Sequence, residues 1–558
     1  MKKLFTPILG LLMMLSTQAQ AQSFESAKDA VKNMGVGWNL GNTLDAHDAT
    51  KTWTTTEEHE TCWGQPVTKP ELMKMMKEAG FGAIRVPVTW YQEMDADGKV
   101  NDAWMKRVKE VVDYVIDNGM YCIINVHHDT GADEGNRKSW LKASTSSYDT
   151  NKAKYEGLWK QIAEQFKDYD QKLLFEAYNE MLDEKNTWNE PATDDGYKAI
   201  NSYAKSFVTT VRATGGNNKD RNLVVNTYSA SSTANAMKAL DLPEETGHII
   251  FQLHSYPNWK SESNAKIEVD NLINNIKTNL SNRAPVIIGE YATFCEWPTK
   301  TDYYDTDRKV AFYAMDYFIK QTKENGIGTF YWMGLSDESA RNLPAFNQAD
   351  LAETLIKAYH GSIDGYNYPS TEGYEKKFTV KFTDDWSEAF LYGDWNRTVL
   401  KLSDYKGFRL EMEDDSYAGK LQIKVYGDKD GKNTDGSDKY KEQNIQLSSG
   451  SNTTMVTFDT SLLGSTFWGV TLQTISGALT AKVNKAILIK ADDSEVSSTV
   501  SKAWGCEVST ETIAPSGIRS VNAVLNRNDS NIYNLHGQRI TNPQKGIYIQ
   551  NGKKHIAK

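Results

Sequence analysis

The stretch LLFEAYNE, residues 173–180, decides how the chain is read. Its first half is apolar, and its second half ends in an amide and a carboxylate, Asn179 and Glu180. A strand buried on both faces of a parallel sheet reads as a continuous apolar run. Polar groups at the C-terminal end of such a strand mark a place where chemistry is done. The same pattern recurs in VIIGE, residues 286–290, which closes on Glu290.

Outward from these two runs, the order repeats. Strand-like runs at 35–40, 83–88, 121–127, 173–180, 223–229, 249–256, 286–292 and 328–334 alternate with helix-like stretches. The helical stretches are 70–79, 104–118, 154–166, 197–213, 265–280, 308–325 and 350–359. Pro70 suits a first helical turn, and Gly119 and Gly326 suit helix stops. An eightfold strand–helix alternation predicts an α/β fold, a parallel (β/α)8 TIM barrel over residues 24–365. An open doubly wound sheet is the alternative. It normally carries a Gly-rich phosphate loop after its first strand, and GWNLGNT at 37–43 is not one. Arg85, His127, Asn179, Glu180, His254, Tyr256, Glu290 and Trp332 all fall at the C-terminal ends of the runs, the face on which barrel enzymes build their sites.

The remaining chain changes character. Residues 366–376 read as a linker, and 377–508 as short alternating strands of an antiparallel β-sandwich. Trp386, Trp395, Trp468 and Trp504 form either a sugar-binding face or core. The segment 427–439 carries four aspartates and reads as a solvated loop or a calcium loop. Residues 515–558 read as a short β-rich tail of one or two hairpins, with Asn551-Gly552 as a tight turn.

Composition bounds the function. A length of 558 residues implies two or more domains, and a net charge of −10 disfavours nucleic acid as a partner. The 15 Trp and 28 Tyr supply flat faces that suit sugar rings, although most aromatics simply pack. Residues 1–21 read as a signal peptide: Lys2 and Lys3, an apolar run from 4 to 15, then Ala19-Gln20-Ala21 as the cleavage site. That run is too short to span a bilayer, so a secreted or cell-surface protein with no transmembrane segment is expected. Cys122 reads as a buried, inert thiol. A Cys62–Cys295 disulfide is open in an oxidising compartment, and neither these cysteines nor Cys506 show metal-site spacing.

Two carboxyl groups suffice to break a glycosidic bond: one protonates the leaving oxygen, and the other attacks the anomeric carbon with retention when the two are roughly 5–5.5 Å apart. Glu290 is the expected nucleophile, held ionised by Arg85 and the Tyr256 hydroxyl. Glu180 is the expected acid, kept protonated by burial and a negative neighbour. Adjacent strand residues face opposite ways, so Asn179 and Glu180 share a cleft only if the strand ends or bulges there. Gly289 allows close backbone approach, and Glu176 reads as structural, paired with a buried donor. In HHD at 127–129, neighbouring side chains diverge, so hydrogen-bonding His127 and His128 are preferred over a metal chelate. No metal or cofactor is expected. Trp332 is placed to stack under a sugar, and Trp63, Trp188 and Trp297 to line further subsites.

Taken together, GWNLGNTLDA, ETCWGQPVT, GFGAIRVPVTW, YCIINVHHD, LLFEAYNE, IIFQLHSY, APVIIGEYAT and TFYWMG resemble the cellulase family of glycoside hydrolases, family 5, over residues 30–360. YNEM departs from the more frequent NEP continuation. The resemblance implies a retaining mechanism with Glu180 as acid/base and Glu290 as nucleophile. It also implies supporting roles for Arg85, His127, Asn179, His254, Tyr256 and Trp332. The tail resembles C-terminal sorting signals of Bacteroidetes secreted proteins, implying secretion machinery as a partner and delivery outside the cell or onto its surface. The region 377–508 resembles carbohydrate-binding modules in general character. The expected activity is endo-acting hydrolysis of β-1,4-glucosidic bonds in cellulose or mixed-linkage β-glucan. The same chemistry on xyloglucan, mannan or xylan is the near alternative, and a non-catalytic surface glycan-binding protein is the rival of another class.

Overall fold

The computed structural model describes residues 24–244, 247–256, 259, 261–292, 303–361, 366–371, 375–395, 397–513 and four strand segments of the tail. The chain divides into two compact units. One is Met1–Thr371 with Thr398–Leu400, and the other is Glu372–Arg397 with Lys401–Lys558.

The first unit is a closed barrel of eight parallel strands: β1 (Val36–Asn39), β2 (Ala83–Val86), β3 (Tyr121–Asn125), β4 (Leu173–Glu176), β5 (Leu223–Asn226), β6 (Ile249–His254), β7 (Val286–Tyr291) and β8 (Gly328–Trp332). β8 closes onto β1 in the register Gly37↔Phe330. The helices are α1 (Ala27–Met34), α2 (Thr56–Glu60), α3 (Pro70–Ala79), α4 (Asp102–Asp117), α5 (Thr145–Gln165), α6 (Asp195–Ala213), α7 (Ala234–Ala239), α8 (Glu262–Asn279), α9 (Tyr303–Glu324), α10 (Ser339–Asn342) and α11 (Ala349–His360). α3 begins on Pro70 and stops at Gly80 in the left-handed conformation, as those residues dictate. α5 starts nine residues before the 154–166 stretch, where Ser144 accepts the Ser147 amide as an N-cap.

Strand alternation sorts the barrel residues into two sets. Outward positions such as Trp38, Ile84, Phe175, Leu253 and Tyr331 join the large core shared with the helices. Inward positions in the lower barrel form a separate apolar cluster that includes Tyr121, Ile123, Leu174 and Phe330. α1, which the strand–helix pattern does not anticipate, adds Ala27, Ala30, Val31 and Met34 to that cluster and so plugs one end of the barrel. One inward position higher, the residues are Asn39, Arg85, Asn125, Glu176, Asn226 and Gln252, all fully buried. The barrel is therefore apolar at its base and polar directly beneath its mouth.

In the stretch 366–376, read as a linker, Tyr368 Oη donates to the Ala79 carbonyl at 2.9 Å and Phe346 bridges to Ser370. Residues 366–371 thus pack on the barrel unit.

The strands after the barrel are β9 (Glu375–Phe382), β10 (Glu388–Tyr392), β11 (Leu400–Lys401), β12 (Tyr405–Met412), β13 (Leu421–Lys432), β14 (Asp438–Gln446), β15 (Thr453–Thr457), β16 (Thr466–Phe467), β17 (Gly469–Thr474), β18 (Leu479–Lys490), β19 (Glu495–Ser497), β20 (Ser501–Trp504) and β21 (Cys506–Ile513), all in the second unit except Leu400 of β11. They form two main antiparallel sheets, β14-β13-β17-β10-β20 and β15-β12-β18-β9-β21. The segment 427–439 is not a loop: it is the distal half of the β13–β14 hairpin. Its aspartates do not converge. Asp428 accepts the Ser465 and Thr466 amides, Asp435 the Ser437 amide, and Asp438 pairs with Lys429 at 2.8 Å. In the tail, β22 (Ile532–Asn534), β23 (Arg539–Ile540), β24 (Gly546–Gln550) and β25 (Lys553–Ala557) form a sheet in the order β23-β22-β24-β25. Asn551-Gly552 lies outside the described residues.

Candidate active site

Arg85, inward on β2, organises the barrel mouth. Its Nε and Nη2 donate to the two Glu176 oxygens at 2.6 and 2.7 Å. Nη2 also donates to Asn179 Oδ1 at 2.7 Å, and Nη1 donates to Asn39 Oδ1 at 2.9 Å and Glu290 Oε1 at 2.8 Å. A guanidinium presents donors in a fixed planar fork, so one side chain ties β1, β2, β4 and β7 together at their C-terminal ends. Glu176 is the buried counter-charge, and Asn125 and Asn226 also donate to its Oε1 at 3.1 and 3.2 Å. Against the cost of burial, Arg85 and the Asn125 amide hold its carboxyl below the ordinary range.

β4 stops at Glu176, which settles the parity question. Asn179 and Glu180 follow the strand in bent backbone and are not bound to opposite faces. Asn179 turns to Arg85, and Glu180 Oε1 meets His254 Nδ1 at 2.8 Å. Glu290 lies on β7, where register shifts flank it on both sides. A Cβ at Gly289 would lie 2.4 Å from the Gln252 side chain, so glycine is required for β7 to pass its neighbour there. Glu290 accepts from Arg85 on Oε1 and from Tyr256 Oη on Oε2 at 2.6 Å, with His254 Nδ1 at 3.4 Å.

One carboxylate oxygen of Glu180, one of Glu290 and a His254 nitrogen lie within 4.8 Å of one another. Burial dominates their protonation. It pushes the Glu180 carboxyl up to about 7, reinforced by the Glu176 charge and opposed by Arg85. It also raises Glu290, whereas the sequence reading has its partners holding it ionised; Arg85, His254 and the Tyr256 hydroxyl oppose that rise without cancelling it. Two buried carboxylates this close do not both carry charge cheaply. The single charge belongs on Glu290, which has the guanidinium and the phenol as donors. His254 is driven down to about 4 by burial, so it is neutral near pH 7 and meets the acids as a hydrogen-bonding imidazole.

The other expected residues distribute around the mouth. His127 Nδ1 accepts from Asn125 Nδ2 at 3.0 Å, and its ring lies parallel to Trp332 at 6.0 Å. β3 ends at Asn125, so His127 and His128 do not diverge as on a strand: their rings meet edge-on at 4.5 Å. His128 stacks on His47 at 4.8 Å, and Trp63 packs beside both and donates Nε1 to the His47 carbonyl at 2.9 Å. Donor atoms of Asp45, His127 and His128 fall within 4.8 Å of one another. Asp45 already accepts the Asn42 and Thr43 amides at 3.0 and 2.8 Å, so its part in this group is that of a loop anchor. In another sector, a cavity of about 470 Å3 opens beside Glu180, lined by Trp188, Ser229, Ser231, His254 and Tyr256. Trp188 is 49% exposed there. Trp297 and Cys295 lie outside the described residues, and with Cys295 the Cys62–Cys295 pairing. Sequence reasoning missed Asn39, Asn125, Asn226, Gln252, Asp45 and His47. The asparagines that close β1, β3 and β5 were the available signal, a polar residue repeated at one register level.

Comparison with known proteins agrees with this geometry. The profile described as Cellulase (glycosyl hydrolase family 5) matches residues 47–337, more than half of the chain. The chain belongs to glycosyl hydrolase family 5. It is 32% identical over 389 residues to Endoglucanase A of Clostridium longisporum, covering 64% of this chain and 71% of that protein. It is 36% identical over 325 residues to Endoglucanase A of Ruminococcus albus, covering 55% and 83%. Among solved structures it is similar to a GH5-4 broad specificity endoglucanase from an uncultured bacterium, at 59% identity and TM-score 0.59, covering 61% of this chain and 98% of that one. It is also similar to Prevotella bryantii PbGH5A in complex with a xyloglucan tetradecasaccharide, at 41% identity and TM-score 0.57, covering 60% and 99%. The residues matched by the family 5 profile lie within the barrel unit.

Proposed function

We propose that this family 5 chain is a retaining endo-β-1,4-glucanase in which Glu290 is the nucleophile and Glu180 the acid/base. The observation that carries the retaining reading is the spacing of the two carboxylates, within 4.8 Å at one oxygen from each. That is the direct-attack range and leaves no room for the water that an inverting pair holds between its carboxyls. In the first step a Glu290 oxygen bonds to the anomeric carbon. The glycosidic bond breaks, and its electron pair stays on the leaving oxygen, which takes the Glu180 proton. In the second step Glu180 removes a proton from water, the water oxygen bonds to the same carbon, and the Glu290 ester bond breaks. Arg85 and Tyr256 hold the attacking carboxylate, while His254 orients Glu180. The cavity on the Glu180 side suits the leaving-group half of a chain, with Trp188 as its wall. His127 and Trp332 line the glycone side.

Cellulose and mixed-linkage β-glucan are the proposed substrates. Xyloglucan is a second reading, favoured by the xyloglucan complex of the Prevotella bryantii relative at 41% identity. Residues 1–21 are proposed as a cleaved signal peptide and the tail as a sorting signal, with residues 366–376 as linker and 377–508 as an accessory module. Supporting export, the residues before 24 carry the charged, apolar and small-residue segments of a signal, and no helix among the described residues is long and apolar enough to cross a membrane.

Two measurements test the reading. Purified protein should release reducing ends from carboxymethylcellulose or barley β-glucan; release from no β-glucan favours the glycan-binding rival. Glu180→Ala should still be glycosylated by an activated aryl cellobioside, whose leaving group needs no proton, whereas Glu290→Ala should not. The opposite pattern exchanges the two roles.

A further inference from the structure

The second unit presents a surface built from none of the residues at the barrel mouth. We infer that the face of the β14-β13-β17-β10-β20 sheet that carries Glu388 and Gln473 is a separate β-glucan-binding site, with Trp395 and Trp504 as its stacking platform. The choice of glucan as ligand rests on the proposed activity; the existence of the site rests on the following geometry.

Strand alternation places aliphatic residues such as Leu391, Ile423 and Leu472 on one face of this sheet, and Glu388, Gln422, Gln473 and Tyr426 on the other. Register aligns Gln446, Gln422, Gln473, Glu388 and Trp504 in one row across all five strands. From Gln446 to Glu388 the row is hydrogen-bonded side chain to side chain. Gln446 Nε2 donates to Gln422 at 3.2 Å, Gln422 Nε2 to Gln473 at 2.6 Å, and Gln473 Nε2 to Glu388 at 2.6 Å, while Tyr426 Oη donates to Glu388 at 2.8 Å. A solvent face normally carries mobile charged residues, and a packed face carries apolar ones. A ladder that is exposed at Gln446, buried at Gln422, Gln473 and Glu388, and ends beside exposed indoles is neither.

At the end of the row, Trp395 and Trp504 sit edge-on at 4.7 Å, both resting on Phe390 at 5.6 and 5.9 Å. They are 52% and 37% exposed. Adjacent indoles with free ring faces offer what a pyranose needs, flat apolar area for its C–H face beside hydrogen-bonding groups for its hydroxyls. A second observation points to a ligand. Trp468 belongs to the same aromatic cluster, stacked on Tyr426 at 4.7 Å and under Arg397 at 5.3 Å. Its Nε1 is a buried donor with no partner among the described residues. Buried donors are seldom left unpaired, and a sugar hydroxyl supplies the missing acceptor. The one acid in the row, Glu388, is already satisfied, so the site suits a neutral chain.

Native gels containing soluble barley β-glucan or xyloglucan test this, with the full chain carrying Glu290→Ala so that the polymer survives the run. Adding Trp395→Ala with Trp504→Ala should raise the apparent Kd for at least one polymer by about tenfold or more, as loss of two aromatic anchors does. Replacing both with Phe, which keeps flat rings, should restore part of the retardation. If the double alanine variant loses its thermal transition, Trp395→Ala alone, on the exposed loop, gives the reading. Equal retardation of parent and alanine variant, or no retardation of the parent by either polymer, overturns the site. Hydrolysis of cellopentaose by the unmodified chain reports on the barrel separately, so its absence would count against the proposed activity and not against this surface.

Discussion

Arg85 is the residue on which the acid pair depends. Its fork is shared among Glu176, Asn179, Asn39 and Glu290, and a lysine ammonium at that position reaches only part of that set. Arg85→Lys should therefore lower kcat/KM on the order of 100-fold through misplacement of Glu290. It should also cost about 3–5 kcal/mol of stability, because Glu176 stays buried without a matched partner; activity assays and denaturant unfolding measure the two effects. The protonation of Glu180 sets the alkaline limit. In the proposed first step the group is needed as an acid, and burial has moved it up to about 7. kcat/KM should thus fall about tenfold per unit above that pH, and fall again at acid pH where Glu290 takes up a proton, as a pH–rate profile would show. A profile flat to pH 9 would remove Glu180 from the acid role. Glu180, Glu290, His254 and Tyr256 were legible in the sequence because each closes or follows an apolar run, and Arg85 because it is the one charge inside such a run. Asn39 and Asn226 were not singled out, since an asparagine at a strand end also reads as ordinary turn chemistry.

At the scale of elements, the strands were found where apolar runs predict them, but most stop two to four residues early. The run 173–180 yields only β4, Leu173–Glu176, and the run 121–127 yields β3, Tyr121–Asn125. The difference has one cause: the overrun residues, Asn179, Glu180, His127 and Tyr256 among them, leave the ladder to turn across the mouth. The β6–β7 pair shows how tightly this is built. Gly289→Ala would push a methyl into the Gln252 amide, which is itself held by donation from its Nε2 to Asn226 Oδ1 at 3.0 Å. The variant should lose about 1–3 kcal/mol and a larger share of kcat than of substrate affinity, because the displaced strand carries Glu290. Unfolding curves and steady-state kinetics with β-glucan separate the two. α1 was missed for a related reason. A short helix before the first strand has no counterpart in an eightfold repeat, and its burial is apparent only once the barrel closes above it.

For the whole molecule, the residues of the proposed acid pair and its supports all lie in the first unit. A chain ending at Thr371 keeps every one of those residues and should therefore hydrolyse cellopentaose with kcat/KM within about twofold of the full chain. A collapse of activity would show that the catalytic unit needs the second. The sequence by itself determined the barrel and the β-rich second region, and it singled out the two glutamates proposed as the acid pair. Those features are written in local period and in residue type, which one stretch of chain carries alone. Only the tertiary structure decided that Glu180 and Glu290 share a space too small for two charges, that Arg85 joins four strands at once, and that a row of amides crosses five strands beside a pair of exposed indoles. Each of these depends on register and closure between segments far apart in the chain, and burial, not the partners visible in the sequence, sets the direction in which the acids shift.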